Sequence, residues 1–188
     1  MKRTIWIALA VIVLAGAGYW YWSKPGGDAV SVDLVEAFRG AEKRSNLPAT
    51  AAFAMDPQTI QGVTKPAVYM HPSSRVTYKS VTIPPGAHFR AFLALKEDAW
   101  DKGTDGVWFS IAIVSDGQFE EILQQTVDPF HSPGDRGWLA IDRDLSKWAG
   151  KQVEVVFNTR PSRPGVQPND MFDFAVIGAP AIVVVNPS

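Results

Sequence analysis

Residues 100–150 read WDKGTDGVWFSIAIVSDGQFEEILQQTVDPFHSPGDRGWLAIDRDLSKWAG, three apolar-patterned runs separated by turn formers. In the first run Val107, Phe109, Ile111 and Ile113 recur at a period of two, with Trp108, Ser110 and Ala112 between them. A strand sends alternate side chains to opposite faces, so the two sets line different surfaces. Asp105-Gly106 before the run and Ser115-Asp116-Gly117 after it are turn formers, because glycine accepts positive φ and aspartate bonds its own backbone. Residues 119–127 fit a helical stripe as well as a strand; the tight Asp116-Gly117 turn favours the returning arm of a hairpin. The third run, residues 138–145, closes on Leu145-Ser146-Lys147-Trp148-Ala149-Gly150, a compact turn.

The same rhythm continues outward. Residues 75–83 are strand-like, but Val76 and Tyr78 have one parity and Val81 and Ile83 the other, which predicts a bulge near Ser80. Pro84-Pro85-Gly86 is a turn. Phe89, Ala91, Leu93 and Leu95 alternate, as do Val153, Val155 and Phe157. Residues 172–185 form an apolar strand broken by Gly178 and Pro180. Upstream, Ser31 can cap a helix over residues 31–44 whose stripe is Leu34, Val35, Phe38 and Ala41. Residues 51–55 read as an edge strand and 59–63 as another short strand, and His71-Pro72-Ser73-Ser74 as a polar corner. Short strands at this spacing predict a mainly β chain, an antiparallel β-sandwich or jelly roll. The expected organisation is an anchor or signal segment at residues 1–24, a linker with the short helix and edge segment at 25–58, and the sandwich at 59–188.

With 188 residues, 46% hydrophobic, there is room for one domain and a short appendage. A net charge of -1 lacks the clustered basic face that nucleic acid requires. Zero cysteines exclude disulfides and thiolate metal sites. Lys2 and Arg3 precede an apolar run from residue 5 to 22, which matches an N-terminal transmembrane helix with its start in the cytoplasm. Ala15-Gly16-Ala17 offers a cleaved signal as the alternative, while Tyr19-Trp20-Tyr21-Trp22 suits an interfacial aromatic belt on a retained anchor. Either way the domain is expected beyond the inner (cytoplasmic) membrane, in the periplasm or outside the cell.

The succession HPSSRVTY, IPPGAHFRAFLAL, AWDKGTDGVWFSI, VDP, GDRGW, DLSKWAGKQVEVVFNT resembles the galactose-binding-like jelly-roll domains of extracytoplasmic bacterial proteins. It is similar to carbohydrate-binding-module-like sandwiches from residue 71 onward. The resemblance implies a sandwich that binds glycan or mediates contact without catalysis, and in many such domains a structural calcium.

Strand parity locates a working end independently. Because successive antiparallel strands reverse, the long connections 96–104, 128–137 and 159–170 fall at one rim, with His71 beside them. The tight turns 84–86, 116–117 and 146–150 fall at the other. The rim candidates are Trp100, His131, Arg136, Trp138 and Arg160, with Trp108 on the strand beneath. Flat aromatics and planar polar groups suit a sugar's CH faces and hydroxyls. Each has a plainer reading: Trp100 and Trp138 as core lids, Asp135-Arg136 as a loop-fixing pair. Trp108 is either a platform on an exposed face or covered by a loop. Asp101 and Asp105, with carbonyls of the same loop, form a candidate calcium site. His71, His88 and His131 lie on separate elements without a metalloenzyme spacing, and no nucleophile elbow or phosphate loop is present. The expected partner is a glycan, or else an envelope protein docked on a non-catalytic scaffold.

Overall fold

In the computed structural model, which describes residues 28–161, 167 and 169–185, thirteen strands form two packed antiparallel sheets and a small hairpin. They are β1 (Ala29–Asp33), β2 (Glu42–Ser45), β3 (Phe53–Met55), β4 (Gln58–Ile60), β5 (Val63–Lys65), β6 (Ala67–Met70) and β7 (Ser74–Thr82). There follow β8 (Ala87–Leu95), β9 (Val107–Ser115), β10 (Gln118–Val127), β11 (Leu139–Asp144), β12 (Gln152–Pro161) and β13 (Ala175–Val184). One sheet runs β11-β8-β13-β6-β3, with β1 also paired to β13; the other runs β10-β9-β12-β7-β2.

The alternation read from the sequence decides which side chains meet between the sheets. Val107, Phe109, Ile111 and Ile113 of β9 face Phe89, Leu93 and Leu95 of β8 within one buried core. Phe157 ties the layers together, edge-on to Tyr78 at 5.0 Å and to Phe89 at 5.8 Å. Such aromatic contacts add to area burial, and truncating a ring of this kind costs about 3–5 kcal/mol. The hairpin joining β9 and β10 turns on Asp116 (φ 53) and Gly117 (φ 75). Two positive φ values are the signature of the turn whose twist matches a hairpin, so residues 119–127 are extended rather than helical.

The bulge expected near Ser80 is present. Between Val153↔Val81 and Val155↔Tyr78 the β7 strand carries one residue more than β12, and Ser80 has φ 58. Gly178 and Pro180 mark a second bulge, where β13 hands its edge from β6 to β1. Proline has no N–H to give a ladder, so it belongs at such a break.

Three expectations need correction. Residues 31–44 are not one helix: β1 is followed by a single helical turn, Leu34–Ala37, then a loop and β2. Its cap is Asp33, not Ser31; the Asp33 carboxylate accepts from the N–H groups of Val35 (2.8 Å) and Glu36 (3.1 Å). Leu34, Val35 and Phe38 are buried as the stripe required, but pairing with β13 and β7 outweighs the weak propensity of a short helix. Residues 59–63 are two strands, not one, reversing at Gln61 (φ 48) and Gly62 (φ 73). Strands β1, β2 and β3 lie within the two sheets, so the segment read as linker and edge contributes to the sandwich itself. The expected membrane segment lies outside the described residues; no described helix is long and apolar enough to cross a membrane.

Candidate functional site: the loop rim

Loops 96–104 and 128–137 meet at one end of the sandwich. Arg136 joins them: its Nη2 donates to Asp101 at 2.7 Å and to the Trp100 carbonyl at 3.4 Å, and its Nε to the Pro129 carbonyl at 3.0 Å. Asp135 folds the second loop back on its stem by accepting from the Asp128 N–H at 2.8 Å. Segment 169–174 comes alongside, since the Lys96 N–H donates to the Phe174 carbonyl at 3.0 Å. At the opposite end the turns also gather: Gly150 N–H donates to the Ile83 carbonyl, and Lys151 pairs with Asp116. The parity expectation therefore holds for loops 96–104 and 128–137 and for the tight turns, while connection 159–170 lies only partly within the described residues.

Beneath the rim lies a buried acidic cluster. The Gly106 N–H donates to Thr104 Oγ1 at 3.0 Å, and the Thr104 hydroxyl donates to Asp173 Oδ1 at 2.6 Å. Gly106 has φ +84, and a Cβ there would stand 2.9 Å from the Val127 carbonyl oxygen, so only glycine allows this approach. Asp173 is fully buried, and its Oδ2, like Asp105 Oδ1, is a buried oxygen with no hydrogen-bond partner among the described residues. Burial, together with the charges of Asp105, Asp170 and Asp128, raises Asp173 to about 7 despite the Thr104 hydrogen bond. Asp105 is raised in the same way, chiefly by burial and then by Asp128, against its own hydrogen bonds.

Asp101 does not share that cluster. Its carboxylate is exposed and turned to Arg136. Among the described residues no group of three or more His, Asp or Glu side chains is arranged around a metal ion. The buried carboxyl oxygens that lack a hydrogen-bond partner among the described residues belong to Asp105 and Asp173.

The tryptophans are structural on two faces. Trp100 is buried and donates through Nε1 to the Leu95 carbonyl at 3.0 Å. Trp138 donates to the Val63 carbonyl at 2.9 Å and lies across Gly178, where an added Cβ would stand 2.7 Å from the ring. With Ile60, Ala94 and Val176 these two rings form a second apolar cluster under the β4–β5 hairpin. Trp108 is buried on the outer face of the five-stranded sheet, with the Arg160 guanidinium 4.9 Å from its ring centre. His71 is half-buried near the end of β12, where Thr159 donates to its carbonyl at 3.3 Å. His131 is exposed, with its Nδ1 at hydrogen-bond distance, 2.9 Å, from Asp128 Oδ2.

The candidates thus divide into a rim group (Trp100, Asp101, His131, Arg136), Asp105 beneath it, a face group (Trp108, Arg160), and His71 and Trp138 apart from these. The rim's exposed apolar surface comes from residues that the strand pattern does not single out. Phe130 is 43% exposed, edge-on to His131 at 4.8 Å, and Met171 is 60% exposed. Phe130 stands alone among turn formers in VDPFHSPGD, and that isolation is the available signal.

No family model matches the chain. An uncharacterized protein of Archaeoglobus fulgidus is 34% identical over 122 residues, covering 61% of this chain. The chain spans 30% of that relative's length. Among solved structures, the chain from Clostridium perfringens ZmpB described as an M60 catalytic domain with CBM51-1 and CBM51-2 domains superposes at a TM-score of 0.52. The match is 11% identical and covers 86% of this chain and 16% of that one. A CBM51 from Clostridium perfringens GH95 in complex with methyl-galactose gives a TM-score of 0.48 at 13% identity, over 80% of this chain and 98% of that one. The CBM22-1 xylan-binding domain of Paenibacillus barcinonensis Xyn10C gives 0.48 at 13% identity, over 88% and 99%. At such identities the likeness is one of fold alone, an antiparallel β-sandwich.

Proposed function

We propose that the chain is a non-catalytic glycan-binding module displayed beyond the cytoplasmic membrane by its N-terminal segment. The observation that carries this reading is the rim: two loops locked together by Arg136, presenting an exposed Phe130 ring beside His131 and Met171. An aromatic face offers a sugar's CH groups a stacking surface, and the adjoining His131, Asp128 and Arg136 supply hydrogen bonds to hydroxyls. Calcium belongs to the same reading, but at Asp105 and Asp173 rather than at Asp101. A bound calcium would supply positive charge that offsets the repulsion among these carboxylates, and so hold loop 104–106 against segment 169–174.

The test is retention of the full chain, in detergent, on a glycan array with and without calcium. Phe130→Ala should lose retention roughly tenfold or more with unchanged melting, whereas Trp100→Ala should lower stability first. A chain that binds no glycan in either condition overturns the proposal. The exposed Met171 and Phe130 also favour a second reading, an apolar docking patch for an envelope protein. That reading is supported if Phe130→Ala and Met171→Ala abolish capture of one membrane-associated protein while glycans are ignored.

A further inference from the structure

The outer face of the five-stranded sheet has its charges sorted by height. Register places Thr126, Trp108 and Arg160 in the row nearest the rim, and Gln124, Ser110, Asn158, Arg75 and Arg44 in the next. Glu121, Ala112, Val156, Thr77 and Glu42 follow one step lower. The acidic groups on these rows are already engaged. Glu42 pairs with Arg44 at 2.5 Å and with Lys79 at 2.8 Å. Glu121 accepts from Ser110 at 2.5 Å and from Gln124.

Arg75 and Arg160 differ from Arg44: among the described residues neither meets a carboxylate. Both are exposed, and both are held in place from behind. Arg75 Nε donates to Asn158 Oδ1 at 2.7 Å, which leaves its terminal N–H groups to point elsewhere. Arg160 lies over the buried Trp108 ring. Arg75 stands opposite Asn158, two residues before Arg160 on β12, so the two arginines are diagonal neighbours roughly 7–8 Å apart at their backbones. Side chains of that length, at that spacing, can reach one ligand group. Two oriented guanidiniums that meet no carboxylate among the described residues, on a chain of net charge -1, are not a by-product of general basicity. A planar fork of donors matches a carboxylate, and fixing it beforehand lowers the ordering cost of binding.

We propose that this face takes the carboxylate of an acidic glycan, a uronate residue held by Arg75 and Arg160 beside the rim. The inference rests on the glycan-binding reading and names its substrate class. It is tested by calorimetric titration of the full chain in detergent with polygalacturonate and alginate, with their methyl esters, and with neutral galactan. The acids should bind at least tenfold more tightly than their esters. Arg75→Ala/Arg160→Ala should abolish that preference by lowering acid affinity to that of the esters, and the corresponding double lysine variant should restore it only in part. Equal binding of acid and ester overturns the uronate assignment while the glycan reading stands. Survival of the preference in the double alanine variant, or full recovery with lysine, also overturns it. Failure to bind any of the polymers, neutral galactan included, counts against both.

Discussion

Asp173 is a buried carboxyl whose ionised form has one hydrogen-bond donor and three acidic neighbours. Its folded value of about 7 lies above the ordinary 3.8, so between those values the folded state holds a proton that the unfolded chain has released. Stability from this group is therefore present below about pH 4 and is lost as pH rises toward 7. Asp173→Asn keeps the acceptor for Thr104 and removes the charge. In chelator, denaturant titrations from pH 5 to pH 8 should show the parent losing stability and the variant staying flatter, with the variant the more stable at pH 8. Calcium should then stabilise the parent at pH 8 and leave the variant unmoved. A parent as flat as the variant would remove the buried-charge account. Little of this was legible in the sequence. Asp105 drew attention through its turn, but Asp173 lies 69 positions from Thr104 and only the fold brings them together.

Strand elements were more readable than single side chains, because a period of two is written into the chain itself. The β9 alternation, the Ser80 bulge and the Asp116-Gly117 hairpin each follow from local chemistry, and each is present. The region before residue 60 was read less well, since there the pairing partners are remote: β1 takes its place from β13, and the residues that follow it fit a helical stripe. At the rim, the elements are two loops held by one arginine. An exposed ion pair contributes little by itself, but Arg136 also reaches two carbonyls. Arg136→Ala should therefore cost about 1 kcal/mol or less in global stability. Amide exchange in residues 96–104 and 128–137 should nonetheless speed up selectively. Unchanged exchange in both loops would show that Arg136 does not hold them.

For the whole molecule, the reversal of successive strands gathers the long connections at one end and the tight turns at the other. That geometry was available from turn spacing alone, whereas the division of labour at the rim was not. Of the two readings open for Trp100 and Trp138, both rings are lids, because large rings at strand ends are drawn over the second apolar cluster. Phe130 and Met171 are left facing solvent. The most direct test is a hydrogen-exchange footprint of the chain with a glycan retained on the array. Protection is expected in residues 96–104, 128–137 and 169–174, with none at 84–86, 116–117 and 146–150. Protection confined to those three tight turns, or to neither end, would contradict a binding site at the rim.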